Sequence, residues 1–198
     1  MSDNEILLLK KARNGDVEAF EKLIEGCQKK VFNIALRMLG NYDDASELSQ
    51  EVFIKIFKSL GNFKEHSSFY TWVYRITSNA CLDEIRKRNN CKVISLDEPV
   101  NLNDNDVKPQ VEDHRPTPDM EAEKKEMKKI INDAIKSLPE EHRIVIILRD
   151  IQGFSYEEIS KIVSCPEGTV KSRINRARQS LKEILKVKKE LFEESYVK

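Results

Sequence analysis

Glycine and proline are scarce in this 198-residue chain, six of each. With so few helix breakers and a composition dominated by helix formers, the expectation is an all-α fold. The four cysteines, Cys27, Cys81, Cys91 and Cys165, form no C-x-x-C pair and have no histidine at ligand spacing. That spacing argues against a zinc site and leaves reduced thiols, mostly small buried apolar groups. No apolar run approaches the roughly 20 residues that span a bilayer, and no signal peptide is visible, so a soluble, cytoplasmic protein without membrane insertion is expected. Charge of either sign is not in excess, with Lys+Arg 34 against Asp+Glu 34. A zero balance does not argue against nucleic-acid binding, because the distribution of charge decides that. There is no internal repeat.

Catalytic and cofactor motifs are missing as well. His66, His114 and His142 lie far apart, and no H-x-E…C-x-x-C pattern exists. Asp43 and Asp44 are adjacent on a helix, so their side chains point about 100° apart, a poor metal pair. A nuclease or deaminase with a DNA-binding tail is therefore disfavoured. No catalytic residue, metal or cofactor is assigned.

What the chain does contain is the stretch from Ser155 to Arg178, SYEEISKIVSCPEGTVKSRINRAR. Ser155 followed by Glu158 is a capping-box start, and Tyr156, Ile159, Ile162 and Val163 form an apolar stripe. Ser164 and Cys165 break the pattern, and Pro166 suits a first helical position. In the second helix Val170, Ile174, Ala177 and Leu181 face inward. Lys171, Ser172, Arg173, Asn175, Arg176 and Arg178 occupy the other faces. Arg and Lys neutralise phosphates, while Arg and Asn can bond guanine and adenine edges in the major groove. A solvated basic face is the plain alternative. The order of the helices favours DNA, since helix–turn–helix motifs insert the second one.

The rest of the chain reads as further helices. A short one begins near Ile6–Leu9 and ends at Gly15, and Asp16 caps a second that runs to Leu39, weakened at Gly26. A third starts at Asn41–Asp44 and buries Ala45, Leu48, Val52, Phe53, Ile56, Phe57 and Leu60. Its other face is acidic: Asp43, Asp44, Glu47, Gln50 and Glu51. By pattern alone that face is solvated or holds a partner. The loop GNFKEHSSFY precedes a fourth helix ending at Arg86-Lys87-Arg88. Phe63, Phe69, Tyr70 and Trp72 beside Lys64, Arg75, Asn79 and Arg86 are either core or a platform for unstacked bases. Trp72 is placed in the core. Between Asn89 and Pro118 periodicity fails, and the segment is read as a flexible acidic linker. A fifth helix (Met127 to Leu138), a sixth (Pro139 to Asp150) and the helix–turn–helix follow.

Four segments in order carry a family resemblance: GDVEAFEKLI with RMLGNYDDASELSQEVFIKIF, FYTWVYRITSNACLDEIRKR, SLPEEHRIVIILRDIQGFSYEEI and CPEGTVKSRINRARQSL. Over nearly its whole length the chain resembles the bacterial RNA polymerase sigma factors of the extracytoplasmic-function (ECF) group, within the sigma-70 family. The resemblance implies two small helical domains: 1–92 like region two, an acidic linker at 93–120, and 121–198 like region four with its helix–turn–helix. It implies core polymerase binding by Asp43, Asp44, Glu47, Leu48, Gln50, Glu51 and Phe53. Contact with the minus-ten promoter element, including an extruded base, falls to Asn62, Phe63, Lys64, Ser67, Phe69, Tyr70, Trp72, Arg75, Asn79 and Arg86. Contact with the minus-thirty-five element falls to Arg149, Thr169, Lys171, Ser172, Arg173, Asn175 and Arg176. The implied partners are core RNA polymerase, promoter DNA and an anti-sigma factor, with the protein monomeric when free. Ser160 stands where the family often has Ala, and Asn175 where an aromatic is common. The rival reading is a helix–turn–helix regulator that acts without core polymerase, which would be a dimer on a palindromic site.

Overall fold

The helix starts follow caps that the sequence carries. The computed structural model describes residues 3–64, 67–94 and 118–196, and every regular element among them is helical. The first half holds α1 (Asp3–Arg13), α2 (Val17–Glu25), α3 (Gln28–Leu39), α4 (Tyr42–Ser59) with a 3-10 turn at Leu60–Asn62, and α5 (Phe69–Ile94). The second holds α6 (Pro118–Lys136), α7 (Glu140–Ile146) running into a π-helical turn at Ile147–Ile151, α8 (Tyr156–Val163) and α9 (Glu167–Tyr196). The Asp16 carboxylate accepts the Ala19 amide at 3.0 Å to start α2, and Asn41 accepts the Asp43 amide at 2.8 Å to start α4. Ser155 and Glu158 form the expected reciprocal capping box on α8.

Four boundaries differ from the sequence expectation. The single helix from Asp16 to Leu39 is two, because the chain breaks at Gly26–Cys27, where the Cys27 amide and thiol both donate to the Ile24 carbonyl (2.9 and 3.1 Å). Gly26 also leaves room for Tyr70: a Cβ there would sit 3.3 Å from the Tyr70 hydroxyl oxygen. The fourth expected helix, α5, continues past Arg88 to Ile94, supported by the Glu84–Arg88 pair at 2.7 Å one turn apart. Helix α6 begins at Pro118, inside the expected linker, with proline at a first helical position. The rest of that linker, 95–117, lies outside the described residues. Finally, α7 does not continue as α-helix to Asp150. The π turn takes over, and its wider register lets the Gln152 amide reach the Ile147 carbonyl at 3.0 Å.

The two helical domains share one contiguous apolar core. Within the first, α3, α4 and α5 pack together; within the second, α9 packs on α6, α7 and α8. Between them, α8 lies on α5, and α6 and α7 lie on α3. Phe154, just after the π turn, stacks edge-on to Tyr74 of α5 (5.0 Å between centroids). Lys30 of α3 caps the same Phe154 ring at 5.1 Å. Arg143 donates to the carbonyls of Met38 in α3 (3.0 Å), Leu138 (3.0 Å) and Lys136, so one guanidinium closes the ends of α3 and α6 together. Burial lowers its pKa. Glu140 accepts from Asn89 at 3.0 Å and lies 3.7 Å from Arg86.

Gly40 ends α3 in the left-handed region (φ 76), where a Cβ is disfavoured. Ser164 holds the same conformation (φ 52) at the end of α8 without being glycine. The turn is secured instead by side chains: the Ser160 hydroxyl donates to the Cys165 carbonyl at 2.7 Å. The capping box gives a direct stability test. Ser155→Ala leaves the Glu158 amide without its acceptor, and a loss of about 1 kcal/mol in urea unfolding is expected.

Candidate nucleic-acid and protein-binding surfaces

The second helix of the helix–turn–helix buries the face that its sequence pattern assigns. Val170, Ile174 and Ala177 are buried, and Leu181 packs at the edge. Lys171, Ser172, Asn175 and Arg176 are exposed on the opposite side. Thr169 is half-buried and its carbonyl accepts the Ser172 hydroxyl at 2.9 Å. Arg173 is half-buried: it pairs with Glu141, and its guanidinium lies 3.9 Å from the Cys165 sulfur. Arg149 projects from the π turn, donates to the Phe154 carbonyl at 2.8 Å, and lies 4.7 Å over the Tyr156 ring.

Tyr156 is a residue that sequence reasoning placed only in the apolar stripe. In the fold, Lys171 approaches its ring as well, at 5.6 Å, so one half-buried ring gathers two cations, Arg149 and Lys171. Its position opposite two expected contact cations becomes visible only once α8 and α9 are packed. Lys171 also pairs with Glu167 at 2.7 Å, and Arg178 forms a two-pronged pair with Asp150 at 2.5 and 3.1 Å.

In the first domain the aromatic cluster divides. Phe63, Phe69 and Trp72 are buried, with ring centroids 5.1 to 6.1 Å apart. These three, expected among the minus-ten contacts, are core in this fold, because tilted and edge-to-face rings bury one another. Asn62, Lys64, Arg75 and Asn79 are exposed and Ser67 is half-exposed. Ser68 caps α5 by accepting the Thr71 amide at 3.1 Å. His66 lies outside the described residues. Tyr70 is half-buried; burial, then a hydrogen bond to Glu5, pushes its hydroxyl pKa up to about 12. Arg86 is exposed, with Asp83 at 3.9 Å and Glu140 at 3.7 Å. Arg75 and Asn79, four residues apart, share one exposed stretch of α5.

On α4, Asp43, Glu47, Gln50 and Glu51 are exposed and Phe53 is half-buried. Leu48, expected among the polymerase contacts, is buried under α4. Asp44 is bound to Arg88 of α5 at 2.5 Å, an arginine that also takes Glu84, and both partners raise the arginine pKa. The surface contains an apolar residue that the pattern did not single out, Ile54, 55% exposed. It lines a shallow depression with Glu51, Lys55, Lys58, Ser59 and Asn62, so the outer face of α4 runs into the base of the loop.

Among the described residues no group of three or more His, Cys, Asp or Glu could hold a metal ion, and no helix is long and apolar enough to cross a membrane. Cys27 and Cys81 are buried, and burial pushes both thiols up to about 12. Cys165 is half-buried.

Comparison with known proteins matches the family description Sigma-70 region 2 to residues 23–91 and Sigma-70, region 4 to residues 128–181. The chain is 33% identical to the RNA polymerase sigma-H factor of Pseudomonas aeruginosa, over 90% of this chain and 92% of that protein. It is 35% identical to the ECF RNA polymerase sigma-E factor of Haemophilus influenzae, over 88% and 91% respectively. With the ECF RNA polymerase sigma factor SigW of Bacillus subtilis it shares 32% identity, over 90% and 95%. Among solved structures, the sigma factor RpoE of Bartonella quintana, crystallised with the anti-sigma factor NepR, superimposes with a TM-score of 0.66 at 26% identity. That match covers 85% of this chain and 97% of that one. Both domains and most of the chain's length are thus accounted for by one family, and the chain belongs to the sigma-70 family as an ECF-type alternative sigma factor directing transcription initiation.

Proposed function

We propose that the chain acts in the cytoplasm as a monomer without catalytic activity, binding core RNA polymerase through the outer face of α4 and promoter DNA through two separate surfaces. The observation that carries this reading is the exposed row Lys171, Ser172, Asn175 and Arg176 on α9, presented by a helix–turn–helix in a chain whose other domain supplies a second polar surface. Arg149, Thr169, Lys171, Ser172, Arg173, Asn175 and Arg176 read the minus-thirty-five element. Phosphate contacts fix the register and base contacts specify. Asn62, Lys64, Ser67, Tyr70, Arg75, Asn79 and Arg86 serve the minus-ten element, with Phe63, Phe69 and Trp72 as the buried support of that surface. Extruding a base costs a few kcal/mol, offset by stacking and edge hydrogen bonds. Asp43, Glu47, Gln50, Glu51 and Phe53 meet the polymerase, joined by Ile54, whose exposed apolar side chain suits a protein interface. Asp44 and Leu48 hold α4 in place for that contact. RNA synthesis belongs to the polymerase. An anti-sigma factor is a further partner, as one is bound to the similar Bartonella protein.

The deciding experiment is transcription in vitro with core polymerase across genomic DNA, with start sites mapped and the oligomeric state of the protein measured. Promoter-specific initiation by a monomer is expected. A stable homodimer on a palindrome, without effect on core polymerase, would overturn the reading in favour of a conventional regulator. For the upstream element, Arg176→Ala should cost about 1–3 kcal/mol on the preferred sequence and relax preference at particular positions. Uniform weakening over a promoter panel would reassign that arginine to phosphate. For the downstream element, exchanging Asn62 and residues 64–68 for the loop of a sister factor should change base preference. Polymerase affinity and upstream binding should stay constant, because α4 and α9 are untouched.

A further inference from the structure

Helix α1 ends before residue 23, where the region-two match begins, yet its side chains reach both arms of the loop assigned to the downstream element. At the C-terminal end of α1, the Arg13 guanidinium donates to the Leu60 carbonyl at 3.4 Å and to the Phe63 carbonyl at 2.5 Å. Its central carbon lies 5.9 Å from the Phe63 ring centroid. Those two carbonyls bracket Gly61 and Asn62, and the Phe63 amide donates back to the Leu60 carbonyl at 3.2 Å. At the other end of α1, Glu5 is hydrogen-bonded to the Tyr70 hydroxyl, on the arm that returns into α5.

Arg13 is half-buried and directed at backbone, while Asn62 and Lys64 are exposed on either side of the carbonyl that it holds. A planar guanidinium presents several donors in a fixed fork and can serve two carbonyls at once; an ammonium is a single compact charge. Recognition of an unstacked base depends on donors and acceptors kept within a narrow range of distance and angle. A displacement of about 1 Å costs large factors in reacting systems.

We propose that Arg13 is a positioning residue for reading the downstream promoter element, fixing the Leu60–Phe63 arm so that Asn62 and Lys64 meet the base in one geometry. This rests on the assignment of the loop as a reading element. Arg13 does not touch the base; it limits the conformations from which the base is read. The Glu5–Tyr70 bond fixes the opposite arm, so the two ends of α1 brace the two ends of the loop.

The test uses the full chain assembled with core polymerase, carrying Arg13→Ala or Arg13→Lys. Initiation is measured on promoters varied one base at a time across the downstream element, alongside affinity for core polymerase and for upstream-element duplex. For Arg13→Ala, the ratio of initiation on the preferred base to the other bases should fall about tenfold at the position the loop reads. Polymerase and upstream affinities should stay within about twofold. Arg13→Lys keeps the charge and stem but not the fork, and should give an intermediate ratio. If Arg13→Ala lowers thermal stability, the lysine variant supplies the ratio. An equal loss on every promoter variant, with the ratio intact, would make Arg13 a purely structural residue and overturn the inference; so would no change at all. The loop exchange separates the two levels. If exchange leaves base preference unaltered, the loop assignment itself fails; if exchange alters preference and the Arg13 variants do not, only the role of Arg13 fails.

Discussion

Five consecutive residues, Ile144 to Leu148, are all buried, and that run dictates how the molecule is put together. Successive helical residues point about 100° apart, so five of them cover the whole circumference. A surface helix buries only one stripe, and no arrangement in which α7 merely rests on the recognition helix would shield such a run. In the fold α9 covers one side while α3 and α5 of the other domain approach from elsewhere. Phe154 against Tyr74 and Arg143 against the end of α3 extend the same seam. The two domains are therefore more than neighbours on a tether. Any complex that separates them has to cover this run with something else, and apolar surface left in water costs about 25 cal/mol per Å².

The cationic side chains share a second regularity. Arg173 is paired with Glu141, Arg178 with Asp150, Lys171 with Glu167, Arg86 with Glu140, and Arg88 with Asp44 and Glu84. In a chain of zero net charge, these cations are thus held at the surface beside acids of the same chain. Exposed pairs of this kind are worth about 0–1 kcal/mol each, so exchanging a carboxylate for a phosphate costs little. Arg88 is the exception, since two acids at 2.5 and 2.7 Å hold it. It joins α4 to α5 as a structural tie, and Asp44 belongs to that tie more than to the open face of α4.

The parts of this architecture that were legible in sequence are those written in local pattern. The capping box at Ser155, the caps at Asp16 and Asn41, and the inward set Val170, Ile174 and Ala177 all follow from spacings of three or four residues. The π turn, the break at Gly26 and the junction of the domains do not. Each depends on groups distant in sequence: Tyr70 against Gly26, Phe154 against Tyr74, and Arg143 against Met38. Candidate contacts were legible to the same degree. The outward polar row on α9 is periodic, so its exposure was legible, whereas Arg13 approaches the loop across 47 and 50 residues and leaves no periodic trace. Leu48 is buried as its helical spacing implies, and a place within the segment that the resemblance assigns to the polymerase says nothing about which face a residue occupies.

The burial of Phe63, Phe69 and Trp72 bears on how the proposed reading surface can vary without disturbing the fold. Phe63 and Phe69 stand at the two ends of the loop, with centroids 6.0 Å apart, and Trp72 packs against both. The anchor rings thus fix where the chain leaves the core and where it returns. Lys64, exposed beside Phe63, can change identity without loss of buried apolar area, because the apolar contribution is concentrated in the anchors. The described ends of the loop are set relative to α5 by the anchors, the Ser68 cap on Thr71 and the bonds from α1. A loop built this way separates the chemistry that holds it from the chemistry it presents. From inside the core, the three rings keep the exposed Asn62 and Lys64 in register with the exposed face of α5.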